Sequence, residues 1–194
     1  VEPAHAAGPV PHADGADDLH GVSVAVQGAG HVGASLAGLL ARDGAEVLVA
    51  DVDAARARTV AAQVGGRAVD PGDVLFTRCD VLAPCAVARV VSEETVDRLR
   101  CRIVAGAAND LLACPELAGA LADRDITYVP DFIANAGGVI HIHALRAGWV
   151  EGQLRSEVMR IGERVSELLA AADASGDTPL HEAELLARRR IDRA

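Results

Sequence analysis

A short apolar run, Val22 to Val26, leads straight into Gln27-Gly28-Ala29-Gly30, and an apolar-periodic stretch begins at about His31. No other feature of the sequence constrains the fold so tightly. The run reads as a buried strand and the glycines as a tight turn. Val32, Leu36, Leu39 and Leu40 read as one face of a following helix. Gly44 stands where a helix C-terminal glycine belongs. Val47-Leu48-Val49-Ala50 is then a second buried strand, ending at Asp51.

The alternation continues along the chain. Residues 54–64 read as helix, 67–69 as a short strand, 80–83 as a strand and 93–99 as a helix. Residues 102–105 read as a strand, 116–122 as a helix and 126–129 as another strand. Short apolar runs alternating with helices imply a parallel sheet covered on both faces. The expected class is therefore α/β: a Rossmann-like doubly wound parallel sheet with C-terminal helices. Leu154, Val158, Ile161, Val165 and Leu168 form one apolar stripe on a long helix. Thr178-Pro179 suits the N-cap and first turn of a last helix. Arg188, Arg189 and Arg190 near its end complement the helix dipole. Residues 1–20, rich in Ala, Pro, Gly, His and Asp, show no periodicity and read as a flexible lead-in.

Gly28-x-Gly30-x-x-Gly33, placed between a strand and a helix, is the pattern of a dinucleotide turn. Its first glycine permits the turn, its second lets a pyrophosphate approach, and its third allows close packing of helix on strand. The helix N-terminus adds unpaired N–H groups and a positive dipole. Asp51 ends the next strand 23 residues after Gly28, where a carboxylate accepts adenosine ribose hydroxyls. An acid there repels a 2′-phosphate, so NAD is expected over NADP. The same glycines could also make a turn that binds nothing, or one that binds another nucleotide. Three segments that follow strands, residues 79–86, 105–109 and 130–138, lie where ligands of parallel sheets are held. On physical grounds alone, Asn109 and Asn135 in them could equally be loop-capping amides.

Composition excludes several chemistries. All 18 Lys+Arg positions are arginine, so this sequence supplies no lysine base, Schiff-base lysine or P-loop lysine. A net charge of −10 argues against nucleic-acid binding, which needs a concentrated basic face. No apolar run reaches the roughly 18–20 residues that span a bilayer, and no membrane association is expected. Cys79, Cys85, Cys101 and Cys114 show neither metal-ligand spacing nor disulfide density. They read as small buried hydrophobes in a reducing cytoplasm, and no metal is expected.

The motifs taken in order resemble the NAD-binding domain of the Glu/Leu/Phe/Val amino-acid dehydrogenases, most closely the leucine/phenylalanine/valine branch. The resemblance begins with Gly15-Ala16-Asp17-Asp18-Leu19-His20-Gly21 and Val24-Ala25-Val26-Gln27-Gly28. It passes through the three segments above and closes on Ala187-Arg188-Arg189-Arg190-Ile191. It implies that Gly28, Gly30, His31, Val32 and Gly33 hold a pyrophosphate, and that Asp51 and Val52 meet the adenosine ribose. It also implies that Cys85, Ala86, Ala107, Ala108, Asn109 and Asn135 line the rest of the dinucleotide. Asp110 replaces a second asparagine usual in this branch.

On this reading residues 1–14 are the lead-in. Residues 15–194 are one NAD-binding domain, which includes C-terminal helices over about 150–194. The family carries a separate N-terminal domain with two functional lysines and a catalytic aspartate, and here only some fourteen residues precede the matched region. The expectation is a cytoplasmic oxidoreductase of an amino acid or imine, weak or inactive alone. Its site would be completed by its own second copy or by a partner chain. The alternative is a non-catalytic NAD-binding module. His141 and His143 are the only catalytic candidates, with packing or surface placement as the other reading.

Overall fold

The computed structural model describes residues 19–192; the lead-in expected over residues 1–14 lies outside them. Six strands form one parallel sheet in the order β3-β2-β1-β4-β5-β6. They are β1 (Ser23–Gln27), β2 (Glu46–Ala50), β3 (Arg67–Ala68), β4 (Val81–Pro84), β5 (Ile103–Val104) and β6 (Thr127–Tyr128). The order reverses between β1 and β4, which is the doubly wound arrangement. Side chains alternate across the sheet. Val24, Val26, Val47 and Val49 pack on one face with Ala37, Ala57 and Val60. Ala25, Leu48, Leu82 and Val104 pack on the other with Leu99, Leu111 and Leu121. A sheet buried on both faces explains why its strands read as unbroken apolar runs.

Helix α1 (His31–Arg42) follows β1, and α2 (Ala54–Gln63) follows β2. The face of α1 that meets the sheet differs from the expected one. Gly33 and Ala37 are the buried positions, while Val32 and Leu39 stand 57% and 49% exposed. Small residues at i and i+4 let the helix approach the strands closely, so the large apolar residues flank the contact. Asp53 caps α2 by accepting the Ala55 and Arg56 N–H groups, at 3.0 and 3.1 Å. Beyond β4 the expected helix over 93–99 is only a single 3-10 turn, Val96–Arg98. Ser92 and Thr95 divert the backbone there, because Thr95 Oγ1 accepts the Ser92 N–H and donates to the Val90 carbonyl. Arg124 secures the segment by donating to the Val96 and Leu99 carbonyls.

After β5, α3 (Leu117–Ala122) covers the sheet edge. Beyond β6 come α4 (Asp131–Ala134), α5 (Gly137–Ala147), the long α6 (Glu151–Ser175) and α7 (Pro179–Ile191). Thr178 caps α7 as its sequence suggests, accepting the His181 N–H at 3.2 Å. Leu154 and Val158 of the apolar stripe are half-buried, because α6 packs on α4, α5 and α7. Val139, Ile142 and Leu145 of α5 are exposed, as is Met159 of α6. No described helix is long and apolar enough to cross a membrane.

Candidate functional site

The carboxyl ends of β1, β2, β4, β5 and β6 bring most of the expected residues to one edge of the sheet. Gly28 takes φ +103°, and a Cβ there would stand 2.6 Å from the Ala86 Cβ. Gly33, in the first turn of α1, lies against the Gly28 carbonyl, and a Cβ would overlap that oxygen. Both positions therefore require glycine, one for backbone conformation and one for space. Gly30 is the extended residue that opens α1, and nothing lies within 4 Å of where its Cβ would be. The turn is thus packed on its inner side and open on its outer side. The first-turn amides of α1 have no carbonyl one turn earlier to bond, and they sit at the positive end of the helix dipole.

Asp51 fastens this turn to β2. Its Oδ2 accepts the Ala29 N–H at 2.7 Å, and its Oδ1 accepts the Asp53 N–H at 2.9 Å and Arg56 Nη1 at 3.3 Å. Burial alone would raise its pKa. The two amides and the guanidinium outweigh burial and hold the carboxyl below its ordinary value. Val52, by contrast, is 90% exposed just beyond the strand. A cavity of about 460 Å³ opens beside the turn, lined by Ala29, Gly30, His31, Ala34 and Arg56. One buried acceptor, Gln27 Oε1, has no protein partner, and it lies one residue before the turn.

The later loops are joined through backbone and amide bonds. The Cys85 N–H donates to the Gln27 carbonyl at 2.7 Å, and the Ala108 N–H to the Pro84 carbonyl at 3.0 Å. Burial pushes the Cys85 thiol up, so it stays a thiol rather than a nucleophile. Burial likewise raises Cys79 and Cys101, to about 12 and about 11. Asn135 Nδ2 donates to Asn109 Oδ1 at 2.6 Å, so the two amides face each other across the ends of β5 and β6. Ala86 and Asn109 are exposed, and Ala107, Ala108 and Asn135 are half-buried. His141 and His143 are both exposed on α5 and line neither cavity. The His143 ring stands edge-on to Trp149, with centroids 5.1 Å apart.

Two groups escaped the sequence reading. Asp131 is buried, and its Oδ2 accepts the Leu111 N–H at 2.8 Å, which fixes the chain beyond Asn109. Burial and the adjoining Asp131 carboxylate push the Tyr128 phenol up to about 12. A separate cavity of about 230 Å³ beside these residues, reaching Arg89, Asp110 and Leu180, contains none of the expected dinucleotide residues. Arg56 is the second group. It lies on the first turn of α2, five residues beyond Asp51. An arginine closely following the acid at a strand-to-helix corner was the available signal.

The family profile described as "Glutamate/Leucine/Phenylalanine/Valine dehydrogenase" matches residues 49–145. Leucine dehydrogenase from Thermoactinomyces intermedius is 33% identical over 178 residues, covering 92% of this chain and 49% of that protein. L-tryptophan dehydrogenase from Nostoc punctiforme is 34% identical over 175 residues, with coverages of 90% and 50%. The crystal structure of L-tryptophan dehydrogenase from Nostoc punctiforme superposes with a TM-score of 0.87 at 33% identity, covering 91% of this chain and 54% of that one. The hetero-hexameric glutamate dehydrogenase from Thermus thermophilus, in a Leu-bound form, gives 0.70 at 25% identity, with coverages of 91% and 47%. The chain spans about half the length of the curated relatives it matches. The profile takes in Asp51 and the three loops beyond β4, β5 and β6, and the relatives extend the likeness back over the glycine turn. The chain therefore belongs to the glutamate/leucine/phenylalanine/valine dehydrogenase family.

Proposed function

We propose that this chain is the dinucleotide-holding part of an NAD-dependent amino-acid dehydrogenase. It would serve oxidative deamination of a branched-chain or aromatic amino acid, or related imine chemistry. The observation that carries the reading is the turn itself, which is packed by Gly33 against Gly28, tied to Asp51 through Ala29, and open at Gly30. The pyrophosphate would lie on the first-turn amides of α1, along Gly28, Gly30, His31, Val32 and Gly33. Asp51 Oδ2 has one protein donor and can accept a ribose hydroxyl as well, with Val52 beside it. Cys85, Ala86, Ala107, Ala108, Asn109 and Asn135 would border the nicotinamide half, which supplies the hydride-accepting carbon when bound. Residues 15–194 would act as one binding unit, with α6 and α7 as its buttress.

Proton transfer is the part this sequence equips least. It has no lysine, and its two candidate histidines stand exposed on α5. A positioned acid or base contributes about 10²–10⁴ in rate, so turnover would depend on groups from another segment or chain. The exposed Val139, Ile142 and Leu145 favour a homodimer or a partner chain in the cytoplasm. The lack of lysine also favours a second reading, a non-catalytic NAD-binding module.

Titration of the purified chain with NADH, paired with assays on branched-chain and aromatic amino acids, separates these readings. Binding without turnover selects the module. Turnover selects the enzyme, with His141→Ala and His143→Ala as the first variants to assay. Absence of NADH binding overturns both. A strictly monomeric sedimentation profile at micromolar concentration counts against self-association.

A further inference from the structure

Arg89 and Asp110 line one cavity that the function proposed above leaves unused. It holds about 230 Å³ beside β6, α4 and α7, on the small side for a ligand pocket and suited to a metabolite rather than a dinucleotide. The loops that follow β4 and β5 build it. The Arg89 N–H donates to the Asp110 carbonyl at 2.6 Å, and the Val91 N–H to the Leu111 carbonyl at 3.0 Å. Arg89 and Asp110 both hold left-handed backbone, with φ +56° and +58°. Residues other than glycine seldom adopt it, and it persists where the surroundings impose it, as at ligand clamps.

This clasp brings a guanidinium and a carboxylate to one space without joining them. Among the described residues neither Arg89 nor Asp110 forms an ion pair. Glu184 of α7 adds a second carboxylate, which also faces Arg188 at 3.8 Å. Buried Asp131 adds a third, its Oδ2 bound to the Leu111 amide. Three carboxylates against the single Arg89 guanidinium reject a simple anion. Among the described residues no group of His, Cys, Asp and Glu is arranged to hold a metal ion. The positive charge that this lining calls for is therefore an organic ammonium. Arg89 can take a carboxylate of the same molecule, and Leu112, Phe132 and Leu180 supply apolar wall.

We propose that this cavity binds a free α-amino acid as its zwitterion. The ammonium meets Asp110 and Glu184, the carboxylate meets Arg89, and the side chain lies against Leu112 and Leu180. No residue of this site is among those set against the dinucleotide, so amino-acid binding here does not depend on that reading.

The test titrates the isotope-labelled chain, free of nucleotide, with L-leucine and follows the backbone amide signals. L-leucine is expected to bind with a Kd of about 1 mM and to shift amides in the loop beyond Asp110 and in the first turns of α7. Its methyl ester keeps the ammonium but loses the carboxylate, and should bind about tenfold more weakly. The matching 2-oxo acid keeps only the carboxylate and should leave those amides unmoved. Arg89→Gln is expected to weaken L-leucine about tenfold and the ester less than about twofold. Asp110→Asn keeps a residue that tolerates left-handed backbone, and should weaken both ligands at least about fivefold. Unchanged amide signals in β1 and β2 will establish that the variants fold. No shift with L-leucine at about 20 mM overturns the inference. So do shifts confined to the glycine turn, and an equal loss of L-leucine and ester in Arg89→Gln. An oxo acid that binds as tightly as L-leucine removes the ammonium assignment and the inference with it. NADH binding is measured separately, so failure of either reading leaves the other standing.

Discussion

The two halves of the sheet reach the same edge by different means. From β1 to β3 the chain uses two strands of five residues and a short edge strand, full helices and a five-pair register between β1 and β2. From β4 to β6 it uses strands of four, two and two residues, with a 3-10 turn where a helix was expected. The first half places its candidate-site groups by secondary structure: a strand ends, a helix begins, and the glycines fall between. The second half places them by individual bonds, such as Asp131 to the Leu111 amide and Asn135 to Asn109. Damage to the first half should therefore be global, and damage to the second half local.

The sharpest way to break this contrast is Gly33→Ala, which sets a methyl group on the Gly28 carbonyl oxygen. A loss of about 3 kcal/mol is expected, since neither backbone segment can move without disturbing β1. Denaturant unfolding measures it, and a loss under about 1 kcal/mol would mean the turn yields. Next in size is Asp131→Ala, which removes the acceptor of the Leu111 amide. About 2 kcal/mol is expected for this charge-assisted bond. Amide exchange should quicken between β5 and α3 and stay slow in β1 and β2. Exchange rising equally everywhere would show that the halves are not separable.

Two smaller effects sharpen the comparison. Asp53→Ala removes the cap of α2 and should cost about 1 kcal/mol. The smallest concerns pH. Asp51 has a folded-state pKa below its ordinary value, so its contribution is complete above the unfolded carboxylate pKa of about 3.9. That contribution fades as pH falls through the lower, folded value. The stability gap between the parent and Asp51→Asn should thus be widest above about pH 5 and narrow in acid. A gap that widens as pH falls would reverse the assigned direction.

This contrast also explains which features the sequence made readable. Val22 to Asp51 carries its structure in periodicity, glycine placement and one acid, all visible within some thirty residues. The large residues of α1 misled the assignment of its buried face, because close helix packing favours Gly33 and Ala37 over Val32 and Leu39. Residues 93–99 looked helical from their composition, yet the Thr95 hydroxyl bonds to the Ser92 amide and the Val90 carbonyl instead. Asp131 stood within a quoted segment, but its role depends on Leu111, 20 residues away. Such a pairing leaves no local periodicity to detect. Arg56 was hidden for a similar reason, since its meaning comes from a corner that brings α2 back over Asp51.

The contact between His143 and Trp149 has a practical use. Trp149 is the only tryptophan, and it lies where α5 passes into α6, edge-on to an imidazole six residues back. The chain therefore carries one intrinsic fluorophore at the elbow between two helices. Its emission responds to the angle between them, without labelling and away from the cavity beside the glycine turn. A cofactor that changed only the turn would leave this signal still, whereas one that moved the helices beyond the sheet would shift it.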